Sequence, residues 1–238
     1  MIRRVGSSLA LCLYAVVWLA AAGVWETKTY TQWTDKETQA VLTDSAWAGK
    51  GSLTNARAGG AVGQIPDWKV TVTWRTAFPI RQALVRKQNG QGGKGTPEQE
   101  AMLTAPESHY VIAVEGLPGM FAGTIQAIGS QTTLERDGKP PIAPTQGMAQ
   151  LFDKDGKAVE QLPVRGAGAA PAGGGTPGRG FGGFGGDGST ATLIFGFPKT
   201  DPITSADKEV EFSTTIGAYH LKKKFRLKDM VVSGEPAL

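Results

Sequence analysis

Strict alternation of apolar and polar positions between residues 68 and 75 is the strongest pattern in the chain. One side carries Trp68, Val70, Val72 and Trp74. The other side carries Lys69, Thr71, Thr73 and Arg75. Because successive side chains of a strand point to opposite faces, this period of two predicts a strand of an antiparallel sheet with one buried and one solvent-exposed face.

Further strands are predicted along the rest of the chain from β-rich runs bounded by turn residues. They cover residues 109–115, 132–136, 150–152, 158–160, 191–197, 209–216 and 219–228. Asp137-Gly138 and Asp155-Gly156 are the dipeptides typical of tight hairpin turns, so we expect a hairpin at each.

Helix start signals occur at three places. Thr34 with Glu37 forms a capping box, which predicts a helix of about ten residues that ends near Asp44 and turns Ala40 and Val41 inward. Pro79 opens a second predicted helix, which ends at Asn89-Gly90. A third is predicted from Pro97, capped by Thr96 with Gln99, and a fourth over residues 120–128. Trp33 and Trp47 flank the first helix, and we expect both to pack it against the core.

Together these elements predict a single α+β domain, with a mainly antiparallel β-sheet and short helices packed on one face. The domain is formed by residues 24–165 and 189–238. Between them, 12 of the 23 residues in the segment 166–188 are glycine. Such a composition buries too little apolar surface to offset its chain entropy, so a disordered, flexible insert is predicted there.

The first 23 residues have the pattern of a secretory signal peptide. Arg3 and Arg4 precede an apolar run, and Ala20-Ala21-Ala22 forms a small-residue exit that predicts cleavage after Ala22. We therefore expect a periplasmic or extracellular protein. The alternative is an uncleaved membrane anchor over Val5 to Val24, which has about the length that spans a bilayer.

Export changes how cysteine content and charge are interpreted. Cys12 is the only cysteine, so the mature chain forms no disulfide and no thiolate metal site. Loss of Arg3 and Arg4 lowers the formal net charge from +4 to +2. A nearly neutral domain lacks the overall charge of a nucleic-acid-binding protein, and no nucleic-acid partner is expected.

Three short stretches resemble uncharacterised exported proteins of the acidobacterial kind. The first runs from Trp33 to Glu37 and resumes at residues 45–48, the second covers residues 74–81, and the third covers residues 225–230. The resemblance implies an exported protein of unassigned function. It supplies no catalytic signature and no site residue.

The last predicted strand carries basic side chains on one face. These are His220, Lys222, Lys224, Arg226 and Lys228. One interpretation is an edge strand that lysines protect from aggregation, with Glu209 and Glu211 of the preceding strand pairing across. The other is a binding strip for an anionic envelope polymer, lipid headgroups or a protein partner.

Candidate chemistry elsewhere in the chain is sparse. His109 and His220 have no acid or second histidine at ligand spacing, and the glycine-rich runs fail the patterns of phosphate and dinucleotide loops. Asp153 to Gly156 lacks the later ligands of a calcium loop. We therefore predict no metal and no cofactor, and favour a non-enzymatic interaction domain. The alternatives are an exported hydrolase with a spatially assembled acid pair and a carbohydrate-binding module that uses Trp68 or Trp74.

Overall fold

The structure is a computed structural model that describes residues 23–55, 68–119, 121, 131–163 and 188–238. The predicted signal peptide up to residue 22, the predicted helix over 120–128 apart from Phe121, and all but the last residue of the glycine-rich insert lie outside the described residues. Within the described part, a mainly antiparallel sheet with short helices confirms the predicted fold class.

The helices lie near the N-terminus and between the second and third strands. They are α1 (Val24–Thr27), α2 (Asp35–Thr43), α3 (Phe78–Asn89) and α4 (Pro97–Thr104), with 3₁₀ turns at Tyr30–Gln32 and Leu227–Asp229. Both predicted capping boxes are present. The Glu37 N–H donates to Thr34 Oγ1 at 3.2 Å, and the Gln99 N–H donates to Thr96 Oγ1 at 3.3 Å. These local signals therefore fix where α2 and α4 begin.

In the described ranges, ten strands form one sheet and two form a small C-terminal hairpin. In chain order they are β1 (Ala48–Asn55), β2 (Trp68–Trp74), β3 (His109–Pro118), β4 (Thr132–Arg136), β5 (Lys139–Ile142), β6 (Gln146–Phe152), β7 (Ala158–Pro163), β8 (Thr190–Pro198), β9 (Glu209–Ile216), β10 (Tyr219–Arg226), β11 (Val231–Val232) and β12 (Glu235–Pro236). The large sheet has the order β5-β4-β9-β10-β1-β2-β3-β8-β6-β7, with every neighbouring pair antiparallel.

Both predicted hairpins are confirmed. β4 and β5 meet at Asp137-Gly138, and β6 and β7 meet at the turn that contains Asp155-Gly156. Gly138 and Gly156 have φ angles of 68° and 75°, which L-residues with a side chain rarely adopt. The Asp153 carboxylate accepts the backbone N–H groups of Asp155 and Lys157 at 3.0 and 2.9 Å, so it closes this turn.

The large sheet folds over on itself and encloses the core. Phe212 of β9 contacts Phe195 and Phe197 of β8, with ring centroids 5.9 and 6.3 Å apart, although four strands separate β8 from β9 in the sheet order. The rings of Trp74 in β2 and Phe225 in β10 are also in contact, with centroids 5.4 Å apart. The two halves of the sheet therefore bury their apolar faces against each other.

β1 belongs to both halves of the sheet. It pairs with β2 from Ala48 to Leu53 and with β10 at Thr54 and Asn55. Gly51 lets β10 approach closely there, because a Cβ at this position would lie 2.6 Å from Leu221 Cδ1.

Strand register defines two ends of the folded sheet. At the Trp47 end, formed by Trp47, Trp74 and Phe225, the Trp47 carbonyl accepts the Trp74 N–H at 2.8 Å. At the Trp68 end, the rings of Trp68, Phe121 and Tyr219 contact one another edge to face. The hairpin between β6 and β7 lies at the Trp68 end, since Phe152 pairs with Thr190 and Thr190 with Pro118.

Two details of the predicted burial are wrong. Thr71 and Thr73 of β2 are buried rather than solvent-exposed. The Thr73 hydroxyl donates to the Leu42 carbonyl of α2 at 3.4 Å, and the Thr71 hydroxyl accepts a hydrogen bond from Lys50 Nζ at 3.1 Å. In α2 itself Val41 is buried as predicted, but Ala40 is exposed and Leu42 takes its place in the core. Trp33 and Trp47 are fully buried beside α2, which confirms their packing role.

Candidate functional site

The predicted basic face of the last strand is present. His220, Lys222, Lys224, Arg226 and Lys228 are all exposed. Leu221 and Phe225 point the other way into the core, and Lys223 on that side lies half-buried with its ammonium group 5.9 Å from the Phe225 ring centroid. Alternation along β10 therefore predicted the orientation of its four basic side chains correctly. The predicted strand is two residues too long, since β10 ends at Arg226 and Lys228 lies in the following 3₁₀ turn.

In the sheet order this strand is not at the edge, although only its first two residues, Tyr219 and His220, pair with β1. β10 lies between β9 and β1, and it pairs with β9 along its whole length, from Tyr219 opposite Ile216 to Arg226 opposite Glu209. Sequence alone could not show this, because the partner β1 is about 165 residues earlier in the chain and no local signal links the two.

Two of the five basic residues are neutralised by carboxylates of β9. Lys222 Nζ lies 2.7 Å from Glu211 Oε1, and Lys224 Nζ lies 2.6 Å from Glu209 Oε1. The hydrogen bond that Lys222 donates to Glu211 raises the pKa of Lys222, and the one that Lys224 donates to Glu209 raises the pKa of Lys224. The pairing across strands was anticipated from the sequence, and it removes these two lysines as free anion-binding groups.

His220, the first of the five, makes a hydrogen bond to a threonine. Its Nδ1 lies 2.9 Å from Thr215 Oγ1. His109 lies between two hydroxyl groups, with Nδ1 2.8 Å from Ser108 Oγ and Nε2 3.0 Å from Thr145 Oγ1. Within the described residues, neither histidine contacts a carboxylate of the kind that orients a catalytic base.

The remaining two basic residues lie beside a pocket of about 500 Å³ at the Trp47 end. We call it the Arg226 pocket. It is lined by Ser205, Asp207, Lys208, Glu209, Arg226, Leu227, Lys228, Val231, Gly234 and Pro236. Lys208 joins Arg226 and Lys228 there because the Lys208 carbonyl accepts the Leu227 N–H at 3.1 Å, which holds the two segments together.

These three cations have no acid partner within the described part of the chain: no carboxylate there lies within 4.0 Å of the charged nitrogens of Lys208, Arg226 or Lys228. Glu209 stands opposite Arg226 in the strand register, but its carboxylate contacts Lys224 instead. The cations at this end of the strand therefore differ from the paired lysines at its centre.

The acids that line the pocket have cations of their own. Asp207, which is 7% exposed, lies 2.8 Å from Lys139 Nζ and accepts the Thr204 N–H at 2.9 Å. Burial raises the pKa of Asp207, but the hydrogen bonds from Lys139 and Thr204 outweigh burial and lower it overall. Both Asp207 and Glu209 are therefore neutralised by lysines that do not line the pocket, and the local charge is positive.

Sequence reasoning identified Arg226 and Lys228 but missed Lys208. Alternation in the predicted strand 219–228 puts the first two on one face, whereas Lys208 lies on the loop before β9 and has no periodic pattern around it. Its only sequence signal is the run Asp207-Lys208-Glu209, in which the lysine stands between two acids. Only the pairing of β9 with β10 shows that Lys208 lies next to Leu227.

The tryptophans proposed for carbohydrate binding are separated in the structure. Trp74 is fully buried at the Trp47 end. Trp68 is half-buried at the other end, edge to face with Phe121 and Tyr219 at centroid distances of 5.4 and 5.1 Å. They do not form the pair of exposed, coplanar rings that a sugar platform needs.

Within the ranges that the structure describes, no group of three His, Cys, Asp or Glu side chains could hold a metal ion. In the same ranges, no helix has the length and apolar character needed to cross a membrane. Comparison with protein-family models gives no match, and neither curated proteins nor solved structures give one. No residue role is transferred from a relative, and function is inferred from the Arg226 pocket.

Proposed function

We propose that this chain is an exported, non-enzymatic binding protein whose Arg226 pocket holds an anionic group of an envelope component. One observation carries the proposal: Lys208, Arg226 and Lys228 line a pocket of about 500 Å³ without a carboxylate partner among the described residues, whereas Lys222 and Lys224 of β10 are paired. Selective pairing leaves a positive site at one end of the strand.

The three side chains suit a phosphate or carboxylate. A guanidinium presents two parallel donors to such a group, and lysine ammonium groups add point charges that need no fixed orientation. The pocket volume falls in the range of small-ligand sites, and Leu227, Val231 and Pro236 give it an apolar wall. The site fits one charged headgroup or one repeat unit of an anionic polymer.

Export of the protein rests on the N-terminal sequence. The basic start, the apolar run and the exit at Ala22 favour translocation, and the absence of cysteine after residue 12 makes the fold independent of disulfides. Nucleic acid is not a partner in this proposal, since the mature chain carries a small net charge.

The test is the binding of inorganic polyphosphate, a soluble anionic probe, to the Arg226→Gln/Lys228→Gln variant by isothermal titration calorimetry. Loss of two charged donors weakens binding by about tenfold or more. The matched control is Lys154→Gln/Lys157→Gln, which removes the same charge from the exposed hairpin at the Trp68 end and leaves binding unchanged.

Circular dichroism and thermal unfolding check that both variants fold like the parent. If the two variants weaken polyphosphate binding equally, the effect belongs to net charge and the pocket is not the site. If the parent itself does not bind polyphosphate at low salt, the proposed function is overturned.

A further inference from the structure

The described chain begins at the same end of the sheet as the Arg226 pocket. Trp25 of α1 contacts Trp47 with ring centroids 4.8 Å apart, and Trp47 is hydrogen-bonded to Trp74 through their backbones. Trp74 in turn contacts Phe225, the residue before Arg226. The chain that follows the apolar N-terminal segment therefore enters the fold at the Trp47 end.

The C-terminus lies at this end as well. Lys199 Nζ donates to the Leu238 carbonyl at 3.3 Å and stands 4.5 Å from the centre of the Tyr110 ring, which contacts Trp74. The Ala237 N–H donates to the Met230 carbonyl at 3.0 Å, so the final residues are held against the body beside the pocket.

Partly exposed apolar side chains accompany the cations here. They are Val24, Trp25, Val232, Ala237 and Leu238, each packed against the core yet not fully covered. Tryptophan and aliphatic groups beside lysine and arginine are the combination found where proteins meet the headgroup region of a bilayer. Asp229 and Glu235 are nearby and exposed, but neither lines the pocket.

We propose that the Trp47 end docks on the surface of an anionic phospholipid bilayer, with headgroup phosphates in the Arg226 pocket. This inference rests on the proposed anion-binding function and identifies the bound anion as the phosphate of a lipid headgroup. A lipid surface is favoured over a soluble polymer because the apolar segment up to residue 22 joins the fold at Gly23. While that segment is attached to a membrane, the Trp47 end is the part of the fold nearest to it.

The experiment uses the full chain with its own N-terminal segment and two kinds of vesicle. One kind is phosphatidylcholine alone, and in the other about a third of the lipid is phosphatidylglycerol. The measured quantity is the ratio of the partition coefficients for anionic and neutral vesicles. The apolar part of this segment contributes equally to both vesicles, and Arg3 and Arg4 are the same in the parent and the variants, so the change in the ratio on mutation does not depend on the segment.

Each basic group near an anionic surface strengthens binding by about fivefold, so Arg226→Gln/Lys228→Gln lowers the ratio by roughly 25-fold. Lys154→Gln/Lys157→Gln, at the opposite end of the sheet, leaves the ratio at the parental value. Raising the salt concentration lowers the parental ratio, because screening acts on exposed charges.

The outcomes separate this inference from the proposed function. If Arg226→Gln/Lys228→Gln weakens polyphosphate binding but leaves the vesicle ratio unchanged, the pocket binds soluble anions and membrane docking is overturned. If it changes neither, both proposals fail. If it lowers both while the hairpin variant lowers neither, membrane docking through the pocket is supported.

Discussion

Arg86 is a cation whose role is structural. Its side chain is 1% exposed, with Nε donating to the Trp33 carbonyl at 2.8 Å and Nη2 donating to Asp35 Oδ1 at 3.0 Å. The Asp35 side chain is 89% exposed. The guanidinium therefore links α3 to the segment before α2 mainly through the buried carbonyl, and its ion pair with Asp35 lies largely in solvent.

This unequal burial predicts unequal costs of mutation. Arg86→Ala leaves the Trp33 carbonyl without its donor and opens a cavity between α2 and α3, so we expect a loss of about 3 kcal/mol in unfolding free energy. Asp35→Asn removes only an exposed charge and costs less than about 1 kcal/mol. Urea denaturation of both variants measures the two changes in unfolding free energy. Equal changes would show that the ion pair with Asp35, and not the bond to the Trp33 carbonyl, holds α3 against this segment.

At the residue scale, the sequence predicts which way a side chain points better than it predicts which charged groups form ion pairs. Alternation identified Arg226 and Lys228 as exposed, and it identified Glu209 and Glu211 as candidate partners of the lysines. It could not tell which cations remain unpaired, because that depends on the register of β9 against β10. Nor could it place Lys208, which comes from a loop.

The start of α2 shows how a capping element responds to acid. Glu37 accepts the Thr34 N–H at 2.8 Å and lies 2.6 Å from Lys28 Nζ. The hydrogen bond from Lys28 and that from the Thr34 backbone lower its pKa from 4.5 to about 2. The ionised carboxylate is thus the form that the folded helix terminus prefers.

Because the pKa of Glu37 is lower in the folded than in the unfolded chain, its stabilisation is present above about pH 4.5 and is lost as the pH falls towards 2. Glu37→Gln keeps an acceptor for the capping box but has no charge to titrate. We expect the parent to unfold at a higher temperature than this variant at pH 6, and the difference to shrink at pH 2. A difference that is constant over this range would contradict the prediction.

At the element scale, helix boundaries and hairpins were predicted well because their signals are local. The Thr34 and Thr96 caps and the turns at Gly138 and Gly156 need only neighbouring residues. The solvent face of β2 was predicted wrongly because its burial depends on α2, which covers Thr73 from outside the strand. A local pattern cannot show which faces of a strand other elements cover.

At the scale of the whole molecule, the fold depends on contacts between strands that are distant in sheet order. Phe212 of β9 is fully buried against Phe195 and Phe197 of β8, and no feature of the sequence indicates that β8 and β9 face each other. The class of fold followed from periodicity, but the strand order and the folding-over of the sheet did not, because both arise from non-local packing.

Trp18 lies in the predicted signal peptide, and the other five tryptophans lie between residues 25 and 74, so tryptophan fluorescence of the mature chain reports on the helices and on the half of the sheet that contains β2. Phe212→Ala, in the other half, is expected to cost about 3 to 5 kcal/mol. If the described elements form one cooperative domain, the fluorescence midpoint in urea falls together with the midpoint followed by far-UV circular dichroism. An unchanged fluorescence midpoint would show that the halves unfold separately.

The pairing of β1 with β10 also governs the order of folding events. Thr54 and Asn55 pair with His220 and Tyr219, near the C-terminus, and Leu221 packs over Gly51. Contacts this distant in sequence form slowly, because a long loop must close before they contribute. The sheet therefore cannot close on the ribosome until almost the whole chain has emerged, which keeps the chain incompletely folded for the export that we propose.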